Sequence, residues 1–282
     1  FLYGRADLIC SYDQRVPSTT LRLAEAKDEQ VLREAGLELA PGVLLKNARR
    51  MVSGDVTASK LLRSGRVAIQ DEGSQLVAAL VGEGRRVLDC CAAPGGKTAA
   101  LATRLPKAEI LAAELHPHRA RLLRSLAPQQ NVSVITADAL HLPLLSTFDR
   151  VLADVPCSGT GTLARNPEIK WRLQAEDLHD LQARQIAILA AAMKHVAPGG
   201  RLVYSTCSLE PEENEQVVNA CLGQNSGFVA VPVKPELLAL LSSGDLVWQN
   251  LDSLVSGDYL RTIPGVHPCD GFFAAVLERQ KL

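Results

Sequence analysis

The sequence has 282 residues, of which 47% are hydrophobic, and its 30 basic and 31 acidic side chains give a net charge of −1. This length allows a substantial core, in one large domain or in a domain plus a smaller one. The charge balance shows no global signature of nucleic-acid binding, although a near-neutral protein can still bind RNA through a local basic face.

The cysteine content argues against both disulfide bonds and a cysteine-bound metal site. There are seven cysteines, an odd number, and no C-x-x-C pair, so we expect neither a disulfide framework nor a metal site. A reducing, cytoplasmic location follows from this composition. No apolar run reaches the roughly 18 residues of a membrane span, and the first residues do not resemble a signal peptide. The sequence begins with Phe1 rather than Met, which suggests that something upstream is missing.

The first 66 residues are predicted to form a linker followed by a small α+β unit. Residues 19–24 alternate like a half-buried strand, residues 28–36 are typical of a helix, and residues 43–46 form a second candidate strand. The basic bias of this unit fits ordinary solvated charge and an RNA-contacting face equally well. The basic residues are Arg22, Lys46, Arg49, Arg50, Lys60, Arg63 and Arg66.

The glycine-rich stretch DCCAAPGGKT, residues 89–98, follows a short apolar strand at 86–88 and opens a helix at 98–105. In α/β folds, such glycines let the backbone approach a ligand, and the helix N-terminus supplies free N–H groups. A P-loop would need glycine where the sequence has Cys91, and the fingerprint G-x-G-x-x-G is absent. A cofactor loop and a purely structural turn both remain open from these residues alone.

Polar residues follow the predicted strands. Strands at 109–114, 132–136 and 148–153 alternate with helices, which is typical of a parallel, doubly wound sheet. Ligands of such sheets bind beyond the carboxyl ends of the strands, so the residues there predict a cofactor pocket. These residues are Cys91, Glu114, Asp138 and Asp154.

Two of these acids have distinct interpretations. Glu114 lies about 20 residues beyond the glycine loop, which suits hydrogen bonds to ribose hydroxyls, although a surface carboxylate at a strand end is the simpler alternative. Asp138 is either a ligand of the cofactor or the cap of a short helix.

The second half of the chain continues the alternation. Residues 165–171 form a polar connection that we interpret as a substrate loop. A helix is predicted at 178–195, and a strand at 201–205 ends in Thr206-Cys207-Ser208, before a helix that starts at 211–214.

The C-terminal part carries a weaker pattern. Residues 227–265 contain a weak strand at 228–233 and otherwise predict a long, mobile insertion. An apolar strand at 270–277 closes the chain.

Four segments carry a resemblance to a known family: residues 91–98, Pro156-Cys157, Ser205-Thr206-Cys207-Ser208 and DGFF at 270–273. They resemble the RNA cytosine-5 methyltransferases, and most closely their bacterial 16S ribosomal RNA branch. The resemblance runs from about Val67 to the C-terminus. It implies a Rossmann-like, class I S-adenosylmethionine-dependent methyltransferase domain over residues 67–282. Its sheet should have seven mostly parallel strands, the last of them antiparallel and near the edge. Residues 1–66 would be a linker and a ferredoxin-like RNA-binding subdomain.

The resemblance also implies the ligands. S-adenosylmethionine is the expected cofactor and RNA the expected partner, either 16S ribosomal RNA or transfer RNA, and we expect a monomer. The family usually has Asp where this sequence has Glu114. The implied cofactor-binding residues are Cys91, Ala92, Ala93, Pro94, Gly95, Gly96, Lys97, Glu114, Arg119, Asp138 and Asp154.

Two cysteines at neighbouring strand ends suit covalent catalysis on cytosine. A thiolate that adds to C6 makes C5 nucleophilic enough to take a methyl group. The chemistry does not say whether Cys157 or Cys207 attacks. The resemblance assigns Cys207 as nucleophile, Cys157 to product release, and Asp154 to hydrogen bonding and protonation of the base, while Lys97 would orient the base. Buried structural roles are expected for the others, Cys10, Cys90, Cys221 and Cys269.

Other functions fit less well. Amino-group methyltransferases favour an aromatic residue at the position of Cys157. A catalytically silent RNA-binding or assembly factor would have no need of both cysteines and all the pocket residues.

Overall fold

The computed structural model describes residues 4–281 and contains two β-sheets. The smaller sheet is antiparallel, with the strand order β2-β3-β1-β4, and its connections form a βαββαβ unit, so the expected ferredoxin-like subdomain is confirmed. Its elements are α1 (Ala6–Asp13), β1 (Thr20–Leu23), α2 (Asp28–Glu34), β2 (Glu38–Pro41), β3 (Ala48–Ser53), α3 (Lys60–Arg63) and β4 (Val67–Ile69).

The small sheet reaches beyond residue 66, because β4 pairs with β1. The segment that we assigned to the start of the catalytic domain therefore supplies the last strand of the subdomain. Helix α1 lies in a stretch that was predicted to be a linker, while residues 1–3 of that stretch lie outside the described residues.

The predicted strand at 43–46 is wrong. The backbone N–H groups of Val43, Leu44 and Leu45 instead donate to the buried carboxylate of Glu72, at 2.7–3.1 Å. The apolar run is a loop that buries Leu44 and Leu45 in the main core. Sequence periodicity could not reveal this, because the partner of the loop is a side chain about 30 residues away.

The larger sheet has nine strands. Five parallel strands lie in the order β7-β6-β5-β8-β9, and the antiparallel β13 follows β9. The two ends of β13 pair with β12 and β10, and β11 pairs with β12. The expected parallel core and the antiparallel closing strand are confirmed. The expected total of seven is exceeded by the β11–β12 hairpin.

The bounds of these elements follow the predicted pattern closely up to β8. The elements are α4 (Glu72–Leu80), β5 (Arg86–Asp89), α5 (Gly96–Arg104), β6 (Glu109–Glu114), α6 (Pro117–Leu126), β7 (Val132–Thr136), β8 (Phe148–Asp154), α7 (Ile169–Arg172), α8 (Asp177–Met193), β9 (Val196–Thr206), α9 (Glu215–Gln224), β10 (Phe228–Val231), α10 (Val233–Ser242), β11 (Val255–Ser256), β12 (Tyr259–Thr262) and β13 (Phe272–Arg279).

Two later boundaries differ from prediction. Strand β9 begins at Val196 rather than at 201, with a register shift that takes up Gly199 and Gly200. A single 3-10 turn at Pro211–Glu213 stands where the next helix was expected, and α9 begins only at Glu215.

Residues 227–265 are folded, which corrects the prediction of a mobile insertion. They contribute α10 and three strands, and they bury Leu237, Leu246, Leu254 and Leu260 in the main core. The pattern was misleading because these apolar residues pack against several elements and therefore follow no single period.

Helices cover both faces of the large sheet. One face packs Leu76 of α4 and Leu101 of α5 against the strands, and the other packs Leu189 of α8 and Val218 of α9. Burial on both faces explains why the central strands are continuously apolar rather than alternating. Among residues 4–281, no helix is long and apolar enough to cross a membrane.

Candidate active site

The site lies along one edge of the large sheet. Asp89, Glu114 and Asp154 are the last residues of β5, β6 and β8, and Cys207 directly follows β9. Parallel strands bring their carboxyl ends to the same edge, which is why residues so distant in sequence meet here.

The turn between β5 and α5 depends on glycine. Gly95 has φ = +117°, and a Cβ atom there would lie 2.9 Å from Leu123 Cδ1 on α6. Helix α5 begins immediately afterwards at Gly96, so its first free N–H groups point toward this edge. Thr98 Oγ1 donates to Asp89 Oδ2 at 2.7 Å, which ties the helix back to the strand.

Glu114 and Arg119 hold the wall of the glycine-rich loop at residues 89–98, here called the donor loop. Arg119 Nη2 donates to the carbonyl of Ala93 at 3.0 Å, and its Nη1 lies 3.7 Å from Glu114 Oε1. The same carboxylate accepts from the backbone N–H of His116. Arg119 therefore positions the loop and the acid together, a contact between side chain and backbone that the sequence did not indicate.

Asp138 caps the 3-10 helix Ala139–His141, because its Oδ1 accepts from Leu140 N at 3.0 Å. Asp138 also lines the cavity described below. The two interpretations of this residue are thus compatible, since capping uses only one of the two oxygens.

Lys97 and Asp154 form a partly buried ion pair. Lys97 Nζ donates to Asp154 Oδ2 at 2.8 Å, Ser205 Oγ donates to Oδ1 at 2.7 Å, and the ammonium lies 4.9 Å from the ring centroid of Phe272. Burial by itself lowers the pKa of Lys97. The electrostatic attraction of Asp154, to which Cys207 adds, is larger, so the pKa of Lys97 is raised overall. Lys97 stays a cation beside Cys207.

The sulfur atoms of Cys157 and Cys207 lie 3.4 Å apart, and both residues are free thiols. The hydrogen bond with Cys207, together with burial, raises the pKa of Cys157 well above its ordinary value. Cys157 is therefore held as a thiol that can donate to the Cys207 sulfur.

Three of the remaining cysteines fit the expected structural role. Cys90, Cys221 and Cys269 are buried, and burial raises the pKa of each, so none is poised to act as a thiolate. Cys10 is exposed, contrary to expectation.

A buried carboxylate that sequence reasoning missed, Glu213, joins the two cysteine loops. Its Oε1 accepts from Ser158 N and from Gln185 Nε2, each at 2.8 Å, and Ser158 Oγ donates to its Oε2. Its carbonyl accepts from Tyr204 OH at 2.6 Å. The signal that could have found it is an acid five residues after the strand-end motif that closes at Ser208, but any exposed helix start would show the same pattern.

One cavity, here called the donor cavity, is lined by most of the predicted site residues. It encloses about 230 Å³ and includes Cys157, Cys207 and most of the polar strand ends. Within it, sequence reasoning missed His116, Arg184 and Ile188. The predicted cofactor-binding residues that line it are Cys91, Ala93, Glu114, Arg119, Asp138 and Asp154.

The other predicted residues of the loop do not line this cavity. Ala92 is buried and donates its N–H to the carbonyl of Ala113, and Gly95 lies against α6. Pro94, Gly96 and Lys97 shape the turn and the ion pair, so direct contact of these residues with a cofactor stays a prediction.

Three of the seven basic residues of the small subdomain serve the fold. Arg49 pairs with Glu29, Arg66 pairs with Asp28, and Arg22 is buried with hydrogen bonds to Gln70 and Thr103. The structure thus favours the interpretation as structural and solvated charge for these three.

The fold and the strand-end pocket define a class I methyltransferase. The chain belongs to the RsmB/F family of 16S rRNA methyltransferases, whose family model matches residues 77–278. It is 30% identical to the probable ribosomal RNA small subunit methyltransferase B of Bacillus subtilis, over 99% of this chain and 63% of that protein. It is 32% identical to the ribosomal RNA small subunit methyltransferase B of Vibrio cholerae, over 90% of this chain and 56% of that protein.

A solved structure supports the same fold. The crystal structure of a methyltransferase homologue from Pyrococcus horikoshii superposes with a TM-score of 0.77 at 28% identity, over 99% of this chain and 91% of that one. The chain thus spans less than two thirds of the length of the curated relatives but nearly all of this structural one.

S-adenosylmethionine is the cofactor of this family and fold. The residues present fit it, because the left-handed Gly95 opens the turn at a helix N-terminus and the carboxylate of Glu114 ends the adjacent strand.

Proposed function

We propose that this protein transfers a methyl group from S-adenosylmethionine to C5 of cytosine in RNA, through a covalent bond between Cys207 and C6. The observation that carries the proposal is the pair of free thiols 3.4 Å apart in the wall of the donor cavity. Membership of the family supports RNA as substrate, and the names of the relatives favour ribosomal RNA of the small subunit as the target.

Covalent addition solves a chemical difficulty. Cytosine C5 is a poor nucleophile, whereas addition of a thiolate to C6 moves an electron pair to C5. The cofactor supplies an electrophilic methyl group, which C5 attacks. Loss of the C5 proton then restores the C5–C6 double bond as the bond between sulfur and C6 breaks, and the thiolate is released.

The neighbours of Cys207 support its role as nucleophile. The Cys157 thiol can donate a hydrogen bond to its sulfur, and the Lys97 cation lies close enough to interact with it. A hydrogen-bond donor and a nearby cation are the kinds of neighbour that suit a nucleophilic sulfur. Cys157, held as the thiol of the pair, is then placed to deliver a proton when Cys207 leaves.

Asp154 would hydrogen-bond to the ring edge of the base and assist its protonation during the addition. Its two oxygens are held by Lys97 and Ser205, so its orientation is set before the substrate arrives. Lys97 acts chiefly through this ion pair.

The test compares wild type, Cys207→Ala and Cys157→Ala with S-adenosylmethionine and unmodified 16S ribosomal RNA or transfer RNA, on a denaturing gel. We expect Cys157→Ala to accumulate a covalent adduct between protein and RNA, and Cys207→Ala to form none and transfer no methyl group. The reverse pattern would make Cys157 the nucleophile. Donor binding without methylation of either RNA by wild type would contradict the proposed activity.

A further inference from the structure

Trp171 stands out because it is a large aromatic side chain that is 77% exposed. Within residues 4–281 its indole has no hydrogen bond and no ring contact, although its backbone N–H donates to the carbonyl of Glu168. The other tryptophan, Trp248, donates to Asn250 and Ser253 and packs edge-on against His267. A folded protein gains nothing from exposing an unpartnered indole, so Trp171 is a candidate for contact with a ligand.

The backbone that carries Trp171 is held firmly beside the cysteines. Ile169, two residues earlier, is buried, and its Cδ1 lies so close to Gly159, just after Cys157, that a Cβ atom there would be 3.0 Å away. At the start of the segment, Arg165 pairs with Asp270 at 2.7 Å and with Asp71 at 3.3 Å. The indole therefore projects from a fixed support.

Two arginines line a hollow at the turn that follows Cys157, and one of them, Arg172, directly follows Trp171 in the sequence. Arg172 and Arg184 line a hollow together with Cys157, and Arg184 also lines the donor cavity. In the described part of the chain, neither guanidinium has a hydrogen bond or an ion pair. The hollow also contains Asp177, which accepts from Gln174 N at the start of α8, and the exposed Asp180. The two arginines and two aspartates therefore leave the hollow without net charge, so charge alone would not select a ligand.

An enzyme that acts on a base must take that base out of its stack. The base next to the target then loses a stacking partner, and an aromatic side chain beside the catalytic residues can replace it. Trp171 lies on the segment that packs against the turn after Cys157, and Arg172, the next residue, is a cation able to contact phosphates. A protein partner would have no reason to need this proximity to the thiols.

We propose that Trp171 stacks on the base adjacent to the target cytosine in single-stranded RNA, while Arg172 and Arg184 contact the phosphates on either side. This inference rests on the proposed function and specifies how its substrate is held. The segment 165–171 thereby acquires a defined role: Arg165 holds the segment in place, and Trp171 stacks on a base of the substrate.

The kinetic test measures methyl transfer to unmodified 16S ribosomal RNA. We expect Trp171→Ala to raise KM for RNA about tenfold with kcat within twofold of wild type, and Trp171→Phe to restore most of the affinity, because any aromatic face can stack. Arg184→Ala should reduce the salt dependence of KM by about one phosphate contact. The matched control is Lys107→Ala, which removes an exposed cation near the opposite edge of the sheet.

A second measurement does not require turnover. In Trp248→Phe, Trp171 is the sole tryptophan, since the chain has two. A short single-stranded RNA should quench its fluorescence, whereas inorganic polyphosphate, which has charge but no bases, should not.

Unchanged KM in Trp171→Ala, or equal quenching by polyphosphate, would overturn the stacking while leaving the methyltransferase proposal intact. Failure of wild type to methylate RNA would contradict the proposed function, and the fluorescence result would still decide whether Trp171 stacks on RNA.

Discussion

At the scale of single residues, the donor loop shows how one backbone conformation controls a site. Gly95 adopts φ = +117° against Leu123, while the next glycine, Gly96, has the ordinary conformation of a first helical residue. A side chain at Gly95 would be strained twice, by its dihedral angle and by the approach of α6. The two adjacent glycines therefore have different tolerances.

We expect Gly95→Ala to lose about 1–3 kcal/mol of stability and most of its affinity for S-adenosylmethionine. Gly96→Ala is the matched control for stability, because the nearest atom to its new Cβ, on Gln70, would be 3.6 Å away. Thermal unfolding and calorimetric titration with the cofactor measure both effects. Equal behaviour of the two variants would contradict a special role for the turn at Gly95.

At the scale of elements, the two loops that carry the cysteines act as one unit. Glu213 lies just beyond the loop that follows β9. Its carboxylate accepts hydrogen bonds from Ser158, in the loop after β8, and from Gln185 of α8. The close approach of Gly161 to Gly271 and the hydrogen bond from Gly161 N to Cys207 O complete the junction. The separation of the two sulfurs therefore depends on residues that touch neither substrate nor cofactor.

We expect Glu213→Ala to lose about 2–4 kcal/mol of unfolding free energy, because several buried donors lose their acceptor. Methyl transfer should fall at least tenfold while affinity for S-adenosylmethionine stays near wild type. Glu213→Gln retains one acceptor oxygen and should recover much of both. Glu212→Ala, a change in the neighbouring and more accessible acid, serves as control. Full activity in Glu213→Ala would show that the loops keep their geometry without this bridge.

At the scale of the whole molecule, buried carboxyl groups make stability depend on pH. Burial raises the pKa of Asp89 to about 7 from an ordinary value of 3.8, with the hydrogen bond from Thr98 opposing the shift and Asp154 adding to it. The folded state therefore keeps this proton at pH values where the unfolded chain has lost it. The resulting stabilisation is complete below about pH 4 and is lost as the pH rises through about 7.

Asp89→Asn should remove this dependence, because Asn can accept from Thr98 without ionising. We expect the unfolding free energy of the variant, relative to wild type, to rise by about 2–4 kcal/mol between pH 5 and pH 8. Denaturant unfolding at the two pH values measures it. Asp180→Asn, at a side chain that is 94% exposed, controls for net charge. A difference from wild type that does not vary with pH would contradict the assignment.

The sequence by itself determined the succession of elements along the chain. Strands alternate with helices, a glycine turn opens a helix, and polar residues stand where strands end. These follow from local periodicity and turn chemistry, which act over a few residues and can be read directly. That Glu114, Asp138 and Asp154 lie at one edge follows from the rule that parallel strands bring their carboxyl ends together. The motifs around Cys157 and Cys207 carried the family resemblance.

Only the tertiary structure decided how these parts are held. Glu72 binds the loop at 43–45, Glu213 joins the cysteine loops, and Arg184 of α8 lines two cavities. Residues 227–265 fold because their apolar side chains find partners on several elements. Each of these features depends on contacts between residues remote in sequence, and a buried hydrogen bond of this kind leaves no periodic trace in the chain.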